Sequence, residues 1–351
     1  MTNHAGEKFL LSVNAKILHK MSDIFLIKSY THSNFRKRIG TMSDIFFLLI
    51  LFTSVVSAQL AGSPGAFSRM GFGARGMALG NAMTAVKNGE IPGFYNPAGI
   101  SYLKNRNASV AYGILSLDRG LNSIFFSAPL DTTASVSFGI LNAGVSDIDG
   151  RDADGFPTDS YSTSENMFSF SFSMRIRKIS IGVSTKIYYY SLYNNLSSTG
   201  LGFDIGAVYP LTSNLAIGAV LKDLNAKYKW NTSDLYGELG NTTTDKFPMR
   251  RAVGISYALG DSVGLISAEI ESSNKSTTVI RVGGEYTIVE QLTVRAGLDG
   301  WNLDDAKQAH PSFGFTLRSD LMDWNSALNY AYVIEPYGLF AIHVISLSVM
   351  L

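Results

Sequence analysis

The residues Phe168-Ser169-Phe170-Ser171-Phe172-Ser173-Met174-Arg175-Ile176-Arg177 alternate between apolar and polar side chains without a break. Successive side chains of a β-strand point to opposite faces, so this stretch predicts a strand with one apolar and one polar face. Arg175 lies in mid-strand on the polar face, where a dry core would leave its charge unpaired at high cost. A strand placed between lipid and a polar lumen accommodates both faces, which favours a transmembrane β-barrel.

The same alternation recurs along the chain from residue 107 to the C-terminus. Runs of this kind, bounded by turn residues, predict about fourteen strands. Their ranges are 107–117, 120–129, 132–143, 164–177, 178–191, 198–210, 213–222, 249–259, 262–272, 277–289, 291–299, 311–319, 322–333 and 338–351. An even number of antiparallel strands is typical of bacterial outer-membrane barrels. We therefore expect an all-β fold, a transmembrane antiparallel β-barrel over residues 107–351.

The lengths of the connections between these strands support the same fold. Every even-numbered junction is short, whereas the odd-numbered ones include the long segments 144–163, 223–247 and 300–310. Outer-membrane barrels have short turns on the periplasmic side and longer loops outside the cell. We expect loops 144–163 and 223–247 to form an external binding surface.

Composition narrows the class of protein. Only 16% of the residues are charged and 46% are hydrophobic, the net charge is +1, and cysteine is absent. These values exclude disulfides and thiolate metal sites and do not suggest nucleic-acid binding. His310 and His343 are the only histidines after residue 106, which leaves little material for a catalytic or metal site. We expect no enzyme activity, no cofactor and no metal, and read the acidic stretch 147–159 as a solvated loop, with calcium binding as the alternative.

The N-terminus has the features of an export signal. The basic residues Arg36, Lys37 and Arg38 precede an apolar run over 45–56, and small residues follow at 56–58. This order predicts a leader and signal peptide over 1–58, and an uncleaved anchor is the alternative. The sequence Met-Ser-Asp-Ile-Phe occurs at 21–25 and again at 42–46, which indicates an early start codon or a duplication.

Residues 59–106 differ from the rest because they are rich in glycine and lack alternation. They are too apolar for a free tail, and the stretch 74–86 has the composition of one short helix. We expect this segment to fold into the lumen of the following barrel as a hatch.

Two short motifs in this segment carry a family resemblance. The stretch 73–82 reads GARGMALGNA, and 94–99 reads FYNPAG. Together they resemble the N-terminal signature of the PorV/PorQ family, which is related to FadL-type outer-membrane transporters. The resemblance covers the chain from about residue 61 to its end and implies a fourteen-stranded barrel closed by an N-terminal hatch. It would place Asn96, Pro97 and Ala98 in the hatch, although Asn-Pro also begins ordinary turns. The final residue, Leu351, departs from the terminal aromatic residue of many barrels.

Charged residues on the polar faces of the predicted strands form a second candidate set. These predicted lumen charges are Arg175, Lys186, Asp204, Glu269, Arg281, Glu285, Arg295 and Arg318. One interpretation is that they pair with one another and with the hatch for structural reasons. The functional interpretation is that some of them hold the hatch closed.

The resemblance implies two functions. As a PorV/PorQ-like protein, the chain would be an outer-membrane component of a type IX secretion system, with secretion subunits and secreted cargo as partners beside the membrane lipid. As a FadL-like protein, it would pass a hydrophobic small molecule across the outer membrane. The predicted inward residues are mostly Ser, Gly, Thr and charged, which disfavours an apolar passage, so the secretion component is the leading hypothesis and the transporter the alternative.

Overall fold

The computed structural model describes residues 60, 62–87, 89–193, 196–260, 263–302, 309–319, 325–336 and 340–351. The predicted leader and signal peptide lie outside these residues. Within the described ranges, no helix is both long enough and apolar enough to cross a membrane.

Sixteen strands are present in the described part of the chain. They are β1 Asn107–Ile114, β2 Arg119–Pro129, β3 Ala134–Arg151, β4 Pro157–Ile176, β5 Ile179–Tyr193, β6 Leu196–Pro210, β7 Leu215–Leu224, β8 Lys227–Asn231, β9 Thr242–Lys246, β10 Arg250–Ala258, β11 Gly264–Ser273, β12 Thr278–Val289, β13 Leu292–Trp301, β14 His310–Ser319, β15 Asn325–Val333 and β16 Ile342–Met350. Fourteen of them form a closed barrel in the order β1-β16-β15-β14-β13-β12-β11-β10-β7-β6-β5-β4-β3-β2. Antiparallel pairing of β1 with β16, from Asn107↔Met350 to Ile114↔His343, closes the sheet. The predicted fourteen-stranded barrel is confirmed.

Side-chain burial follows the alternation that predicted the strands. In β4, Phe170 is 55% exposed on the outer wall, whereas Ser173 is fully buried at 0%. Because a closed barrel leaves no unpaired edge, its backbone polar groups are satisfied between neighbouring strands and only the side-chain faces meet the surroundings. The apolar outer face is therefore the lipid-contacting surface of the protein.

The prediction of a long loop over 144–163 is wrong. Strands β3 and β4 continue well beyond the apolar belt and pair as far as Arg151↔Pro157, leaving a tight turn in which Asp152 accepts hydrogen bonds from the backbone of Asp154 and Phe156. Outside the membrane these strands are polar on both faces, so the alternation that identifies a lipid-facing strand is lost. The acidic stretch 147–159 is thus mostly strand. Among the described residues no group of acidic or histidine side chains is arranged to hold a metal ion.

The second predicted long loop, 223–247, contains ordered structure. Strands β8 and β9 pair as a separate two-stranded sheet, from Lys227↔Lys246 to Asn231↔Thr242. A short helix over Ser233–Tyr236 and a 3-10 turn over Gly237–Leu239 join them. As a result β7 pairs directly with β10 in the barrel.

The N-terminal segment, residues 62–106, consists of short helical turns. A 3-10 helix spans Ala66–Arg69, helix α1 spans Ala74–Ala78, helix α2 spans Pro92–Tyr95, and a second 3-10 helix spans Pro97–Tyr102. The predicted helix over 74–86 ends early because Gly80 and Asn81 both have positive φ, at 59° and 58°. That left-handed pair cannot continue a right-handed helix.

Candidate functional site: the barrel lumen

Inward-facing glycines mark where the N-terminal segment touches the barrel wall. A methyl group placed on Gly182 of β5 would lie 2.4 Å from the carbonyl carbon of Pro97, and one on Gly283 of β12 would lie 2.2 Å from the Leu79 carbonyl oxygen. On β13, a methyl group on Gly297 would lie 2.1 Å from the Gly80 nitrogen. Backbone therefore packs directly on backbone at these strands, which only glycine permits. The glycines on the predicted polar faces of the strands are therefore the places where the backbone of the N-terminal segment comes closest to the barrel wall.

The Asn96-Pro97-Ala98 motif anchors the segment to one side of the wall. The Asn96 side chain accepts a hydrogen bond from the Ala98 N–H at 3.0 Å and donates to the Thr84 carbonyl at 2.7 Å and to the Ala207 carbonyl of β6 at 3.2 Å. The Ala98 carbonyl accepts a hydrogen bond from Ser180 of β5 at 2.7 Å. Asn96 is buried, so these bonds satisfy an amide that would otherwise be costly to remove from water.

On the opposite wall, helix α1 is held by an ion pair. Arg75 of α1 donates to Glu285 of β12 through Nη2 at 2.6 Å and Nε at 3.0 Å. Glu285 also accepts from Arg295 of β13 at 2.9 Å. Such two-pronged arginine–carboxylate contacts fix orientation as well as charge.

A larger ionic network links the inner faces of β5, β6, β7, β10, β11, β12 and β13. We use this name for Lys186, Asp204, Asp223, Arg250, Glu269, Glu271, Arg281 and Asp299. Its ion pairs are Lys186–Asp204 at 2.6 Å, Lys186–Asp223 at 3.5 Å, Arg250–Asp223 at 2.7 Å, Arg250–Glu271 at 3.4 Å, Arg281–Glu271 at 3.2 Å, Arg281–Glu269 at 2.9 Å and Arg281–Asp299 at 2.5 Å. Each charge has a partner of opposite sign, as buried charges require.

The N-terminal segment also binds this network. The backbone N–H of Thr84 donates to Glu269 at 3.0 Å, and the Asn81 side chain donates to Asp299 at 2.7 Å. Tyr95 in turn donates to the Asn81 side-chain oxygen at 2.7 Å. The segment and the wall therefore share one polar system.

The structure distributes the eight predicted lumen charges unequally. Six of them form the ion pairs described above: Lys186, Asp204, Glu269, Arg281, Glu285 and Arg295. Arg175 and Arg318 lie instead at the short-turn end. Arg175 donates to the Thr132 carbonyl and sits 5.3 Å from the centre of the Tyr102 ring, and Arg318 donates to the Glu290 carbonyl at 3.2 Å. Among the described residues neither arginine forms an ion pair, although Arg175 contacts the N-terminal segment through the Tyr102 ring.

Sequence reasoning missed Asp223, Arg250, Glu271, Asp299 and Arg75. Asp223 is at the end of β7 and was counted with the long loop, and Arg250 begins β10. Their 2.7 Å pairing depends on the register that places β10 beside β7, with Arg250 opposite Lys222. A signal was nonetheless present. Glu271 is two residues from the predicted Glu269 and Asp299 is four residues from the predicted Arg295, so each side chain faces the same side of its strand as the predicted one.

The expectation of a polar inner surface is wrong at the loop end of the barrel. There the wall of β1 to β5 and the N-terminal segment share one buried apolar cluster, which we call the outer apolar cluster: Phe67, Phe72 and Phe94 from the segment, and Leu115, Leu121, Phe125, Leu141, Met167 and Tyr188 from the wall. It lies on the loop side of the inward serine pairs Ser127–Ser137 and Ser171–Ser184. The polar inner surface was predicted mainly from the inward serines of β4. Met167, on the same face of that strand, is apolar and fully buried.

The sheet of β8 and β9 extends this apolar surface at the barrel mouth. Tyr228 packs against Phe247 with ring centres 4.9 Å apart, and Phe247 packs against Tyr188 at 4.7 Å. Tyr188 also donates a hydrogen bond to Asp223 at 2.8 Å, which joins the outer apolar cluster to the ionic network.

One buried acid of the segment stands apart from these pairs. Glu90 accepts a 3.5 Å hydrogen bond from the Arg75 backbone through Oε2, while its Oε1 has no hydrogen-bond partner among the described residues. Burial raises the pKa of Glu90 above its ordinary value, against the opposing effect of Ser346 and of the Arg295 and Arg75 charges. The neutral form is therefore favoured relative to an exposed glutamate.

The fold is similar to that of solved transporter structures. No family model matches the chain, and no curated protein matches it. Three solved structures of similar fold are the toluene transporter TodX of P. putida (TM-score 0.57, 15% identity, 80% of this chain and 99% of that one), the Ralstonia pickettii toluene transporter TbuX (TM-score 0.58, 13% identity, 80% and 98%) and a Pseudomonas aeruginosa FadL homologue (TM-score 0.52, 13% identity, 78% and 97%). At these identities the similarity concerns the fold alone. The chain is a closed, fourteen-stranded outer-membrane β-barrel with the fold seen in these transporters.

Proposed function

We propose that this protein lets hydrophobic small molecules cross the outer membrane, and that residues 62–106 act as the hatch that closes the passage. It is then a transport protein and not an enzyme. The outer apolar cluster is the observation that carries this proposal, because it presents buried aromatic and aliphatic surface at the loop end of the lumen. An apolar molecule arriving from outside gains free energy by leaving water for such a surface.

The contacts of the segment suit a part that both closes and moves. Polar contacts with the wall are made by Asn96, Arg75 and the Thr84 N–H, and apolar side chains of the segment, among them Phe67, Phe72 and Phe94, are buried against it. A hydrophobic molecule competing for the apolar contacts would shift the equilibrium toward a displaced segment, provided that it binds the displaced state more tightly. The likeness in fold to toluene transporters supports this reading over secretion.

The secretion-component hypothesis remains a prediction from the resemblance of two short motifs. The projecting β3–β4 hairpin and the β8–β9 sheet are surfaces on which it would depend. Removing the whole of 223–247, however, would also remove Tyr228 and Phe247 from the buried cluster. A deletion confined to the tip between Thr232 and Asn241, which are joined by a 3.0 Å backbone hydrogen bond, leaves that packing in place. If the tip deletion leaves co-purification of envelope proteins unchanged, a partner-binding role for that tip is excluded.

Uptake of toluene is the experiment that tests the proposed function. Cells lacking other aromatic uptake barrels would express the wild type, Leu141→Gln or Leu141→Met. Leu141 is fully buried in the outer apolar cluster. We expect Leu141→Gln to lower uptake by about tenfold, because a polar amide in an apolar site costs about 1–3 kcal/mol, whereas Leu141→Met should retain most uptake. Heat-dependent gel mobility would verify that each barrel is folded. Wild-type uptake no faster than that of barrel-free cells would refute the proposal.

A further inference from the structure

A row of asparagines crosses the outside of the barrel at the upper edge of its lipid-facing belt. Asn122 of β2, Asn142 of β3 and Asn166 of β4 are paired in register, Asn122↔Asn142↔Asn166. Their side chains occupy outward-facing positions of their strands. They lie two residues closer to the loop end than the exposed apolar residues Ile124 and Phe168. Three amides in one row on an otherwise apolar wall are not explained by transport through the lumen.

The amides of this row are joined to each other. Asn122 donates to Asn142 at 3.3 Å, and Asn142 donates to Asn166 and to Ser164, both at 2.9 Å. An asparagine side chain offers two donor hydrogens and an acceptor oxygen with two lone pairs. The row therefore satisfies part of its hydrogen-bonding capacity internally and retains capacity for a ligand.

The row divides a surface groove into an apolar half and a more polar half, and we call the second one the polar half. Below it, a depression of about 430 Å³ is lined by apolar residues, among them Val110, Ile124, Ile140, Ile345 and Leu347. Above it, a depression of about 470 Å³ is lined by polar residues, among them Arg119, Ser162 and Ser164, and by apolar residues such as Ile114 and Val145. Both depressions share Tyr112, Asn122 and Asn142, so they meet at the asparagine row.

The position of the groove identifies the leaflet. Asn122 lies close to the β1–β2 junction, at the end of the barrel opposite the short turns. Outer-membrane barrels have their short turns in the periplasm, so this end faces the outside of the cell. An amphiphile there has its acyl chains toward the membrane centre and its headgroup toward the outside. That polarity matches the groove, which is apolar below the row and more polar above it.

The polar half favours a headgroup rich in hydroxyl and amide groups over a simple phosphate. Its cation Arg119 already donates to the Ser116 carbonyl at 2.9 Å and lies 3.9 Å from Glu335, and Asp118 adds a negative charge nearby. We infer that the groove binds an outer-leaflet glycolipid, with one acyl chain along Val110, Ile345 and Leu347 and its acylated sugar headgroup against the asparagine row.

Native mass spectrometry of protein purified from lipopolysaccharide-containing outer membranes tests this inference. The variants are Asn142→Leu, which removes the centre of the row, and Ile345→Trp, which fills the apolar half but leaves the row intact. Thr199→Leu is the control. Thr199 is exposed, faces outward on the same row through the pairings Asn166↔Tyr189↔Thr199, and lines neither depression.

We expect a retained lipopolysaccharide adduct on the wild type and on Thr199→Leu, reduced several-fold in both groove variants. A wild type that retains no glycolipid, or phospholipid only, would overturn the inference. Equal retention by the wild type and both folded groove variants would also overturn it. Toluene uptake measured in parallel separates this result from the proposed function, because the groove lies outside the lumen.

Discussion

At the scale of single residues, glycines decide how closely the N-terminal segment approaches the wall. Gly283 and Gly284 are adjacent in β12 but face opposite sides. A methyl group on Gly283 would meet the Leu79 carbonyl oxygen at 2.2 Å, whereas one on Gly284 would have its nearest neighbour at 3.8 Å. We predict that Gly283→Ala lowers the free energy of unfolding by about 1–3 kcal/mol through overpacking, and that Gly284→Ala changes it by less than about 0.5 kcal/mol. Urea unfolding in detergent, followed by tryptophan fluorescence, measures both, and equal effects would contradict the close approach.

Glu90 makes a prediction about pH at the same scale. Its pKa in the folded protein lies above the ordinary value of 4.5. The contribution of this group to stability is therefore fully present below that ordinary value and is lost as the pH rises through the raised value. Protease resistance of residues 62–106 should fall in the wild type as the pH rises above 4.5, and fall less in Glu90→Gln, whose side chain stays neutral throughout. Identical pH profiles for the two proteins would show that Glu90 is not the group responsible.

At the scale of elements, the ionic network ties seven strands together from inside. We predict that Arg250→Met lowers the free energy of unfolding by about 3–5 kcal/mol, because it leaves Asp223 and Glu271 buried without their shared cation. The matched control is Arg251→Met, one residue along β10 on the exposed outer face, where a change of less than about 1 kcal/mol is expected. Urea midpoints of the two variants provide the comparison. If Arg250→Met lowers the free energy of unfolding no more than Arg251→Met does, water reaches the ionic network.

The same scale shows what the sequence can and cannot predict. Within the membrane, alternation identified every barrel strand, because lipid on one side and the lumen on the other impose opposite chemistry on successive residues. Beyond the belt that contrast vanishes, so the outer parts of β3 and β4 and the sheet of β8 and β9 were read as loops. Partners within the ionic network were also not predicted. The pairing of Asp223 with Arg250 depends on β7 and β10 being neighbours in the barrel, although β8 and β9 lie between them in the sequence.

At the scale of the whole molecule, barrel and N-terminal segment form one packed unit whose lumen has two kinds of lining. The short-turn half is polar and holds Asn96 and Ser180, whereas the loop half holds the outer apolar cluster on the side of β1 to β5 and much of the ionic network on the side of β7 to β13. Under the proposed function, a hydrophobic molecule entering from outside would meet the outer apolar cluster first and then the segment. The proposal therefore requires the segment to move relative to the wall.

A disulfide between the segment and the wall tests that requirement most directly. The chain contains no cysteine, so Thr84→Cys with Gly254→Cys introduces a single pair, and the Thr84 Cβ lies 3.2 Å from the position of a Cβ on Gly254. This separation is close to the about 3.5–4.5 Å that a disulfide needs. We predict that oxidation of the double variant blocks toluene uptake, that reduction restores it, and that neither single variant responds to oxidant. Undiminished uptake by the fully cross-linked protein would contradict a moving hatch.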